Sequence, residues 1–329
     1  MEDLNINVIK GFGIKHRYIT KERATYVCHT DAGKKIIRRV NLEPKHILFQ
    51  HEVKRHLYKN GFQNLDMYIT SLQNRPYFEW NNERYVMTEP ISGKSVDFQK
   101  KDDFRKVIIG VANFHKISDN TPLAENSNIY KNDNLKEVFE RKIHDLANIK
   151  KKLRKTKNLS DFDVIFIKNY DYYMNLMIHA KELLENSAYE HLTSEAKLKN
   201  SICHNFLKEE NLFFDAKGEL ILSNFSEASI DSCIIDLAEL IKRYVKVLPE
   251  DHLNLNEILE LYTSVHSLNS AELQALQPLL LFPNKFLKIC SQYYSKKRSW
   301  VPSALNSRMQ VLISQKNITE KFLSLHTSL

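Results

Sequence analysis

The order in which strand-like and helical segments follow one another constrains the fold of this chain more than any other feature. Residues 24–40 contain two β-rich runs, 24–30 and 34–40, separated by an Asp-Ala-Gly turn. Residues 76–90 contain two more, separated by a pair of asparagines at 81–82. Because short polar turns between β-rich runs are typical of hairpins, the sequence predicts two antiparallel hairpins here.

A helix is predicted between the two hairpins. Residues 46–62 carry apolar side chains at helical spacing, and Gly61 stands where a C-terminal cap is expected. The apolar face is predicted to contain Ile47, Leu48, Val53 and Leu57. The resulting order of two strands, a helix and two strands describes a small antiparallel sheet with one helix.

After the second hairpin the periodicity becomes helical. The apolar stripe of a first helix is predicted from Phe104, Val107, Ile108, Val111 and Phe114. Long helical segments follow at about 134–155 and 162–186, and the pattern is helical again from residue 234. Residues 211–225 interrupt this pattern with two apolar runs joined by a turn at 215–218, which predicts a third hairpin.

Together these segments predict an α+β protein with a two-lobed, protein-kinase-like layout. Residues 1–90 form the small β-rich lobe with one helix, and residues 91–329 form the large helical lobe. A connecting segment is expected near residues 89–93. Strands concentrated at one end of a chain and helices at the other are typical of the α+β class.

Composition excludes several classes of protein. With 43% hydrophobic and 27% charged residues over 329 positions, the chain can build a core and is not a disordered chain. The four cysteines include no CxxC pair, which argues against a disulfide framework and a zinc knuckle. No apolar run reaches the roughly 18 residues of a membrane helix, and the first residues lack the pattern of a signal peptide. We therefore expect a soluble protein, made in the cytoplasm, with no membrane contact.

Positive charge is concentrated in one short stretch. The run from Lys150 to Lys157, KKKLRKTK, contributes six positive charges to a chain whose formal net charge is +8. Such a run is typical of a solvated helix end or loop, and it also fits a patch that binds phosphates or an acidic partner. Since the basicity does not extend along a groove-sized face, nucleic acid is not an expected partner.

Several segments resemble one family of phosphotransferases. RYVMTEPISG (84–93) resembles the hinge strand of aminoglycoside/choline-kinase-like phosphotransferases, and IIGVANFHK (108–116) resembles their LAxFHK helix. Residues 202–240 have the spacing of their catalytic segment, in which H-G-D-x-x-x-x-N is followed by I-D-F-D and D-L-A. Matches to one subgroup, the CotS-like spore coat proteins of endospore-forming bacteria, lie at 167–192, 279–294 and 297–300.

The resemblance implies that the catalytic segment has lost its acids. The position of the catalytic aspartate falls on Phe206, and the two aspartates of I-D-F-D fall on Asn224 and Ser226. Asn211 matches the metal-binding asparagine. Phosphoryl transfer needs a carboxylate near the attacking hydroxyl and metal ions held against the phosphates. Because Phe206 accepts no proton and Asn224 carries no charge, we expect a dead site with no catalytic residue and no metal.

Four residues in and around this segment are predicted to be structural. His204 matches the motif histidine, and Asn211 is expected to hydrogen-bond within the turn rather than to hold a metal. Asp236 matches the aspartate of D-L-A, which ties the catalytic loop in kinase-like folds. We therefore expect Asp236 to be buried and hydrogen-bonded to the backbone of residues 204–207. His115, at a predicted helix end, is expected to have a cap-like role.

The resemblance also implies a vestigial nucleotide site. The phosphate-binding lysine falls on Arg38, and Glu52 in the following helix is its candidate partner. The alternative is that both are solvent-facing charges. Adenine contacts are expected at Thr88 and Glu89. The stretch 18–26, where the phosphate loop should lie, contains no glycine, although a backbone nest for phosphates usually depends on glycine.

The function that the resemblance implies is that of a spore coat protein with a kinase-like fold and no turnover. Such a protein would be made in the mother-cell cytoplasm, bind other coat proteins rather than a small-molecule substrate, and need no cofactor. Residual ATP binding that does not require a metal is compatible with this expectation. Two alternatives remain open: an ATP-dependent kinase with an unorthodox site, and a binder of nucleic acid or another anionic polymer through the basic run.

Overall fold

The structure, a computed structural model, describes residues 4–22, 25–124, 128–130, 134–295 and 302–324. The resemblance noted at 297–300 therefore lies outside the described residues. The elements of the amino-terminal part are α1 (Ile6–Gly11), β1 (His16–Glu22), β2 (Thr25–Thr30), β3 (Gly33–Val40), α2 (Pro44–Lys59), β4 (Phe78–Trp80) and β5 (Glu83–Thr88). The five strands form one antiparallel sheet in the order β1-β2-β3-β5-β4.

Both predicted hairpins of this sheet are confirmed, and their turns explain why. Gly33, at the turn between β2 and β3, has a φ of +98°, which a side chain would strain. Asn81 and Asn82, between β4 and β5, have φ values of 49° and 60°. Two left-handed residues in a row give a turn whose twist matches that of the flanking strands, and asparagine tolerates this conformation.

Strand β1 and helix α1 were not predicted. Most side chains of β1 face solvent because it is an edge strand, so its sequence shows no alternation of apolar and polar residues. Helix α1 is only six residues long, and its amino-terminal cap is Asn5, whose side chain accepts the N–H of Asn7. Its residues Val8 and Ile9 nevertheless pack in the core of the sheet.

Helix α2 confirms the predicted helix, including its end. Gly61 follows the last turn with a φ of +96°, as expected for a residue just beyond a helix C-terminus. Three of the predicted apolar positions are fully buried: Ile47, Val53 and Leu57. The prediction for Leu48 is wrong, since this side chain is exposed. In its place the buried face contains two polar residues, Gln50 and Lys54.

The remaining elements follow the predicted helical pattern. They are β6 (Lys94–Ser95), α3 (Lys101–Ser118), α4 (Leu135–Leu153), α5 (Asp161–Glu185), α6 (Tyr189–Lys199), β7 (Ile202–Cys203), β8 (Leu212–Phe214), β9 (Leu220–Leu222), β10 (Ser229–Ile230), α7 (Ile234–Val247), α8 (Leu255–Thr263), α9 (Ser270–Leu281), α10 (Asn284–Tyr294), α11 (Pro302–Ser314) and α12 (Lys316–Ser324). The predicted α+β class is confirmed. Within the described ranges, no helix is long and apolar enough to cross a bilayer.

The third hairpin is also confirmed, and it is formed by β8 and β9, with β6 on the other side of β8. Asp215 fixes its turn, because the carboxylate accepts the N–H groups of Lys217 and Glu219. Strands β7 and β10 form a separate two-stranded ladder. Strands β7 and β8 lie on either side of residues 204–211, so they determine where the predicted catalytic loop begins and ends.

The chain divides into two compact units. The first comprises residues 1–131, 195–236 and 261–266, and it contains the five-stranded sheet, the third hairpin and the predicted catalytic segment. The second comprises residues 132–194, 237–260 and 267–329 and is helical. Its core is aromatic: the ring of Phe286 stacks on Tyr173 at 3.8 Å and on Phe166 at 6.1 Å between centroids. The lobe boundary at residue 90 stays a prediction.

Gly110 of α3 packs directly against β9, and this contact gives a first test of the fold. A Cβ at Gly110 would lie 2.6 Å from the Cβ of Leu220, closer than two carbon atoms can approach. We therefore expect Gly110→Ala to lower the free energy of unfolding by about 1–3 kcal/mol, measured by urea denaturation. A glycine-to-alanine change inside an unobstructed helix has the opposite sign.

The control is Lys116→Ala, on the exposed face of the same helix. Its effect should stay within about 0.5 kcal/mol. Stabilisation by Gly110→Ala would contradict the close packing of α3 on β9.

Candidate functional site: a catalytic loop without its acids

Asp236 holds the predicted catalytic loop by its backbone. It lies in the first turn of α7 and is 1% exposed. Its carboxylate accepts the N–H groups of His204 at 2.6 Å and Asn205 at 2.7 Å. The expectation that Asp236 is buried and bonded to this stretch of backbone is confirmed. Asn205, where the motif has glycine, adopts a left-handed φ of 57°.

The ring of His204 links the loop to the segment that carries Asn224. Its Nδ1 accepts the N–H of Phe206 at 3.2 Å, so Nε2 carries the proton and donates to the carbonyl of Ser223 at 3.0 Å. The residue is completely buried, and this burial lowers the pKa of the imidazole. His204 is therefore a neutral structural residue, as predicted.

His115 is not a helix cap, and the prediction of a cap-like role is wrong. Its ring is 1% exposed and lies in a buried chain of hydrogen bonds. Nε2 lies 3.2 Å from Asp236 and Nδ1 lies 2.7 Å from the hydroxyl of Tyr262. Burial by itself raises the pKa of Asp236, but its contacts with His115 and His204 outweigh burial and lower it. The carboxylate thus stays ionised behind the loop.

Phe206, which is predicted to stand at the position of the catalytic aspartate, has a side chain without a proton acceptor. The ammonium group of Lys208 lies over its half-buried ring, with Nζ 4.0 Å from the ring centroid. This distance is typical of a cation–π contact. The same Nζ lies 3.5 Å from a carboxylate oxygen of Glu210. The predicted position of the general base therefore carries an aromatic ring with a positive charge beside it.

The two amides at the predicted metal positions are hydrogen-bonded to protein atoms. Asn211 donates through Nδ2 to the carbonyl of Phe206 at 2.9 Å. Its Oδ1 accepts Nδ2 of Asn224 at 3.3 Å. Asn224 has a left-handed φ of 63° and precedes a short 3₁₀ turn that contains Ser226. The prediction that Asn211 hydrogen-bonds within the turn is confirmed.

A buried carboxylate that the sequence did not indicate lies beside these amides. Asp66, 3% exposed, accepts the backbone N–H of Asn224 at 3.1 Å and Nη2 of Arg38 at 3.3 Å. Nζ of Lys54 lies 2.7 Å from its Oδ1 and donates to its backbone carbonyl at 2.8 Å. Lys54 is completely buried, which lowers the pKa of its ammonium group. We call Arg38, Lys54 and Asp66 the charge cluster.

Arg38 therefore pairs with Asp66, and the prediction of Glu52 as its partner is wrong. The reason is helical phase. Gln50 and Lys54 are four residues apart and share the buried face of α2, whereas Glu52 is about 200° away from each of them around the helix. Glu52 instead accepts the N–H of Ala124 at 3.2 Å.

Two further contacts complete the buried face of α2. Gln50 accepts the hydroxyl of Tyr68 at 2.5 Å, and the ring of Tyr68 lies 3.9 Å below Nζ of Lys54. Burial raises the pKa of the Tyr68 phenol, so the group stays a neutral donor. The sequence signal that could have located this site is the pair Gln50 and Lys54, polar residues spaced as core positions.

At the predicted adenine site, Thr88 is buried and pairs with Ile36 in the ladder between β3 and β5. Glu89 forms an ion pair with Lys35, a residue that sequence reasoning missed. In the stretch proposed for the phosphate loop, Glu22 of β1 stands opposite Thr25 of β2, and the two residues between them lie outside the described residues. The structure therefore brings the backbone of Thr88 and the side chain of Arg38 to the same sheet.

A small antiparallel sheet followed by helices and a catalytic-loop hairpin defines the class of kinase-like phosphotransferase folds. An aminoglycoside phosphotransferase from Alicyclobacillus acidocaldarius superposes with a TM-score of 0.86 at 17% identity, covering 98% of this chain and 95% of that one. The AMP-bound spectinomycin phosphotransferase APH(9)-Ia gives a TM-score of 0.70 at 12% identity, covering 98% of both chains. At these identities the likeness concerns the fold alone.

The chain belongs to the family described as "Spore coat putative kinase YutH", which matches residues 6–326. It is also 23% identical over 305 residues to spore coat protein S of Bacillus subtilis strain 168, covering 92% of this chain and 86% of that protein. The resemblance to CotS-like spore coat proteins with an aminoglycoside-phosphotransferase-like fold is thereby confirmed.

The side chains at the metal positions do not fit the divalent cation that a phosphotransferase fold implies. Magnesium prefers oxygen ligands that include one or two carboxylates. Asn211 and Asn224 offer amides that are bonded to each other, and the nearby carboxylate of Asp66 is neutralised by two cations. Among the described residues, no group of three acids, histidines or cysteines is arranged to hold a metal ion.

The charge cluster gives a direct test of the site. We expect Asp66→Asn to lower the free energy of unfolding by about 3–5 kcal/mol, because it leaves the buried Lys54 without a counter-charge. In Lys54→Met/Asp66→Asn the buried ammonium group is gone, so the double variant should be more stable than Asp66→Asn alone. Urea denaturation of the wild type, both single variants and the double variant measures the coupling. A purely additive result would contradict the assigned cluster.

Burial of His204 predicts a dependence of stability on pH. Its pKa is lowered in the folded state relative to 6.5, so below about pH 6.5 the unfolded chain binds a proton that the folded chain excludes. Stability should therefore fall as the pH falls through this range, by up to about 1.4 kcal/mol per pH unit for this one group. His204→Gln should show a shallower loss between pH 7 and pH 5.5, measured by urea denaturation.

The control for this pH series is His144→Gln, which removes an exposed imidazole from α4. If both variants reduce the slope equally, burial of His204 is not its origin.

Proposed function

We propose that this protein is a catalytically inactive, kinase-like component of the spore coat that acts by binding other coat proteins during assembly. The observation that carries the proposal is the pair Phe206 and Asn224. They occupy the positions of the two acids that phosphoryl transfer requires, and their neighbours are arranged around an aromatic ring and an amide. Membership in a spore coat family supports the location.

Each replacement removes a separate contribution to catalysis. Without a carboxylate at Phe206, the attacking hydroxyl has no group to orient it or accept its proton, a contribution of about 10²–10⁴ in rate. Without a charge at Asn224, the phosphate charge that develops in the transition state lacks its bound cation. We therefore assign no catalytic residue to the site.

What remains is suited to weak, metal-independent anion binding at most. Arg38 is a bidentate donor in principle, but its guanidinium already pairs with Asp66 at 3.3 Å. A phosphate would have to compete with this carboxylate and approach its negative charge. Nucleotide affinity would then depend on Arg38 and on the hinge backbone near Thr88 and Glu89, and neither contact involves a metal.

A thermal-shift experiment tests the catalytic half of the proposal. A ligand that binds the native state alone stabilises it by about 2.7 kcal/mol at a hundredfold excess over its Kd. We expect little or no shift of the melting temperature with millimolar ATP, and no additional shift with Mg²⁺ or Mn²⁺. In Asn224→Asp the new carboxylate would repel Oδ1 of Asn211, leaving two oxygens for a cation, so this variant should gain a metal-dependent shift.

Asn224→Ala is the matched control and should behave as the wild type does. A metal-dependent shift in the wild type, together with phosphate transfer that Asn224→Ala abolishes, would restore the enzyme interpretation. In spores, a binding function predicts that the Asn224→Ala gene complements a deletion as well as the wild-type gene does. Failure of this complementation with a normally folded variant would contradict a role without turnover.

A further inference from the structure

The basic run singled out in the sequence forms a compact surface at one end of the helix pair α4–α5. Of its six cationic side chains, those of Lys151, Lys152, Arg154, Lys155 and Lys157 are exposed. Lys150 is half-buried and ties the two helices together: its Nζ lies 2.7 Å from Asp171 and 3.8 Å from the ring centroid of Tyr170. Lys150 thus has a structural role, and the other five cations are presented to solvent.

These five cations have no ion-pair partner within 4.0 Å among the described residues. Lys151 and Lys152 lie in the last turn of α4, where the helix dipole favours positive charge. Arg154, Lys155 and Lys157 lie beyond that helix, so the dipole does not account for them. A cluster of this density repels itself and is stabilised by any anionic partner.

Exposed aliphatic side chains follow the cations along the chain. Leu159 is 43% exposed, and Val164 and Ile167, in the first two turns of α5, are 39% and 36% exposed. Val164 and Ile167 are three residues apart and therefore project from the same side of α5. We call the residues 151–159 together with Val164 and Ile167 the basic corner. It combines positive charge with a small apolar strip.

The start of α5, which forms part of the basic corner, is fixed by a capping box and by contacts with α10. Ser160 caps α5 in a capping box with Asp163, and its hydroxyl also contacts the hydroxyl of Tyr293 at 2.9 Å. Asp163 accepts the hydroxyl of Tyr294 at 2.8 Å, and Phe162 stacks on Tyr293 at 3.9 Å. Because these contacts fix the start of α5, a partner would bind a preformed surface and spend less free energy on ordering it.

We propose that the basic corner is the docking surface for an acidic, amphipathic polypeptide segment of a coat partner. Charge complementarity is the reason for choosing this occupant. The five cations of the basic corner favour a partner with carboxylates, and its aliphatic side chains favour a partner that has aliphatic residues between those carboxylates. A polypeptide supplies both at a spacing of a few ångströms. The proposal deepens the proposed function, because it assigns a partner class to the binding role.

Two other anionic partners match this surface less well. Nucleic acid would set phosphates against the aliphatic strip, and the ring next to the cations, Tyr170, is buried and unable to stack on bases. An anionic membrane would meet the exposed carboxylate of Asp161 at the start of the same helix, which it would repel. A polypeptide with discrete charges can place its own cations there.

Binding to defined probes tests this surface in the full-length protein. The probes are a Glu/Leu peptide that forms an amphipathic helix, a Glu/Ser peptide of equal charge, a DNA duplex, and phosphatidylglycerol vesicles. We expect the Glu/Leu peptide to bind most tightly, several-fold more tightly than the Glu/Ser peptide. The variant Lys151→Gln/Lys152→Gln/Lys155→Gln should weaken its binding at least tenfold and reduce its salt dependence.

The matched control is Lys59→Gln/Lys217→Gln/Lys288→Gln, which removes the same charge from exposed lysines outside the basic corner and should change the affinity less than twofold. In Leu159→Ser/Val164→Ser/Ile167→Ser the preference for Glu/Leu over Glu/Ser should disappear. Melting temperatures confirm that each variant is folded.

Equal losses in the two lysine variants, tighter binding of DNA or vesicles than of the Glu/Leu peptide, or no binding of either peptide would each overturn the proposal. These outcomes are independent of the ATP experiment. A protein that transfers phosphate but binds the Glu/Leu peptide would refute the proposed inactivity and leave the basic corner intact.

Discussion

The buried carboxylate of Asp66 is the interaction on which the candidate site depends. It joins β3 through Arg38, α2 through Lys54, and the segment after β9 through the N–H of Asn224. Removing a lysine and an aspartate from water costs several kcal/mol for each ion, and this cost is offset only if every partner is in place. The cluster therefore couples three elements that are far apart in sequence.

Most of the fold could be predicted because its determinants are local. The hairpin turns at Gly33, Asn81 and Asn82 need left-handed backbone, and the residues that tolerate it are visible in the sequence. Strand β1 could not be predicted, because an edge strand with solvent on most of its side chains has no apolar alternation to display. Leu48 was misplaced for a different reason: it was chosen by residue type, although it is nine residues from the buried Leu57 and therefore about 180° away from it around the helix.

The residues of the candidate site also fall into two groups, those that a local sequence pattern predicts and those that it does not. His204 and Asp236 could be predicted because both belong to a motif, and each binds backbone groups within it. Asp66 belongs to no motif and lies in an irregular segment after α2, so its role depends on tertiary contacts that no local pattern encodes. Glu52 was chosen by residue type, and helical phase decided instead that Lys54 is the residue of α2 that reaches Asp66.

Hydrogen bonds to the backbone explain why the path of this loop does not depend on the side chain at position 206. Asp236 grips the N–H groups of His204 and Asn205, and His204 receives the N–H of Phe206, so the path of the loop is fixed by backbone donors. None of these bonds depends on the side chain at position 206. An aromatic ring can therefore stand at this position without moving the loop, and a backbone similar to that of phosphotransferases does not require a carboxylate there. The proposal that the site is inactive consequently depends on two side chains, Phe206 and Asn224, and on the charges that surround them.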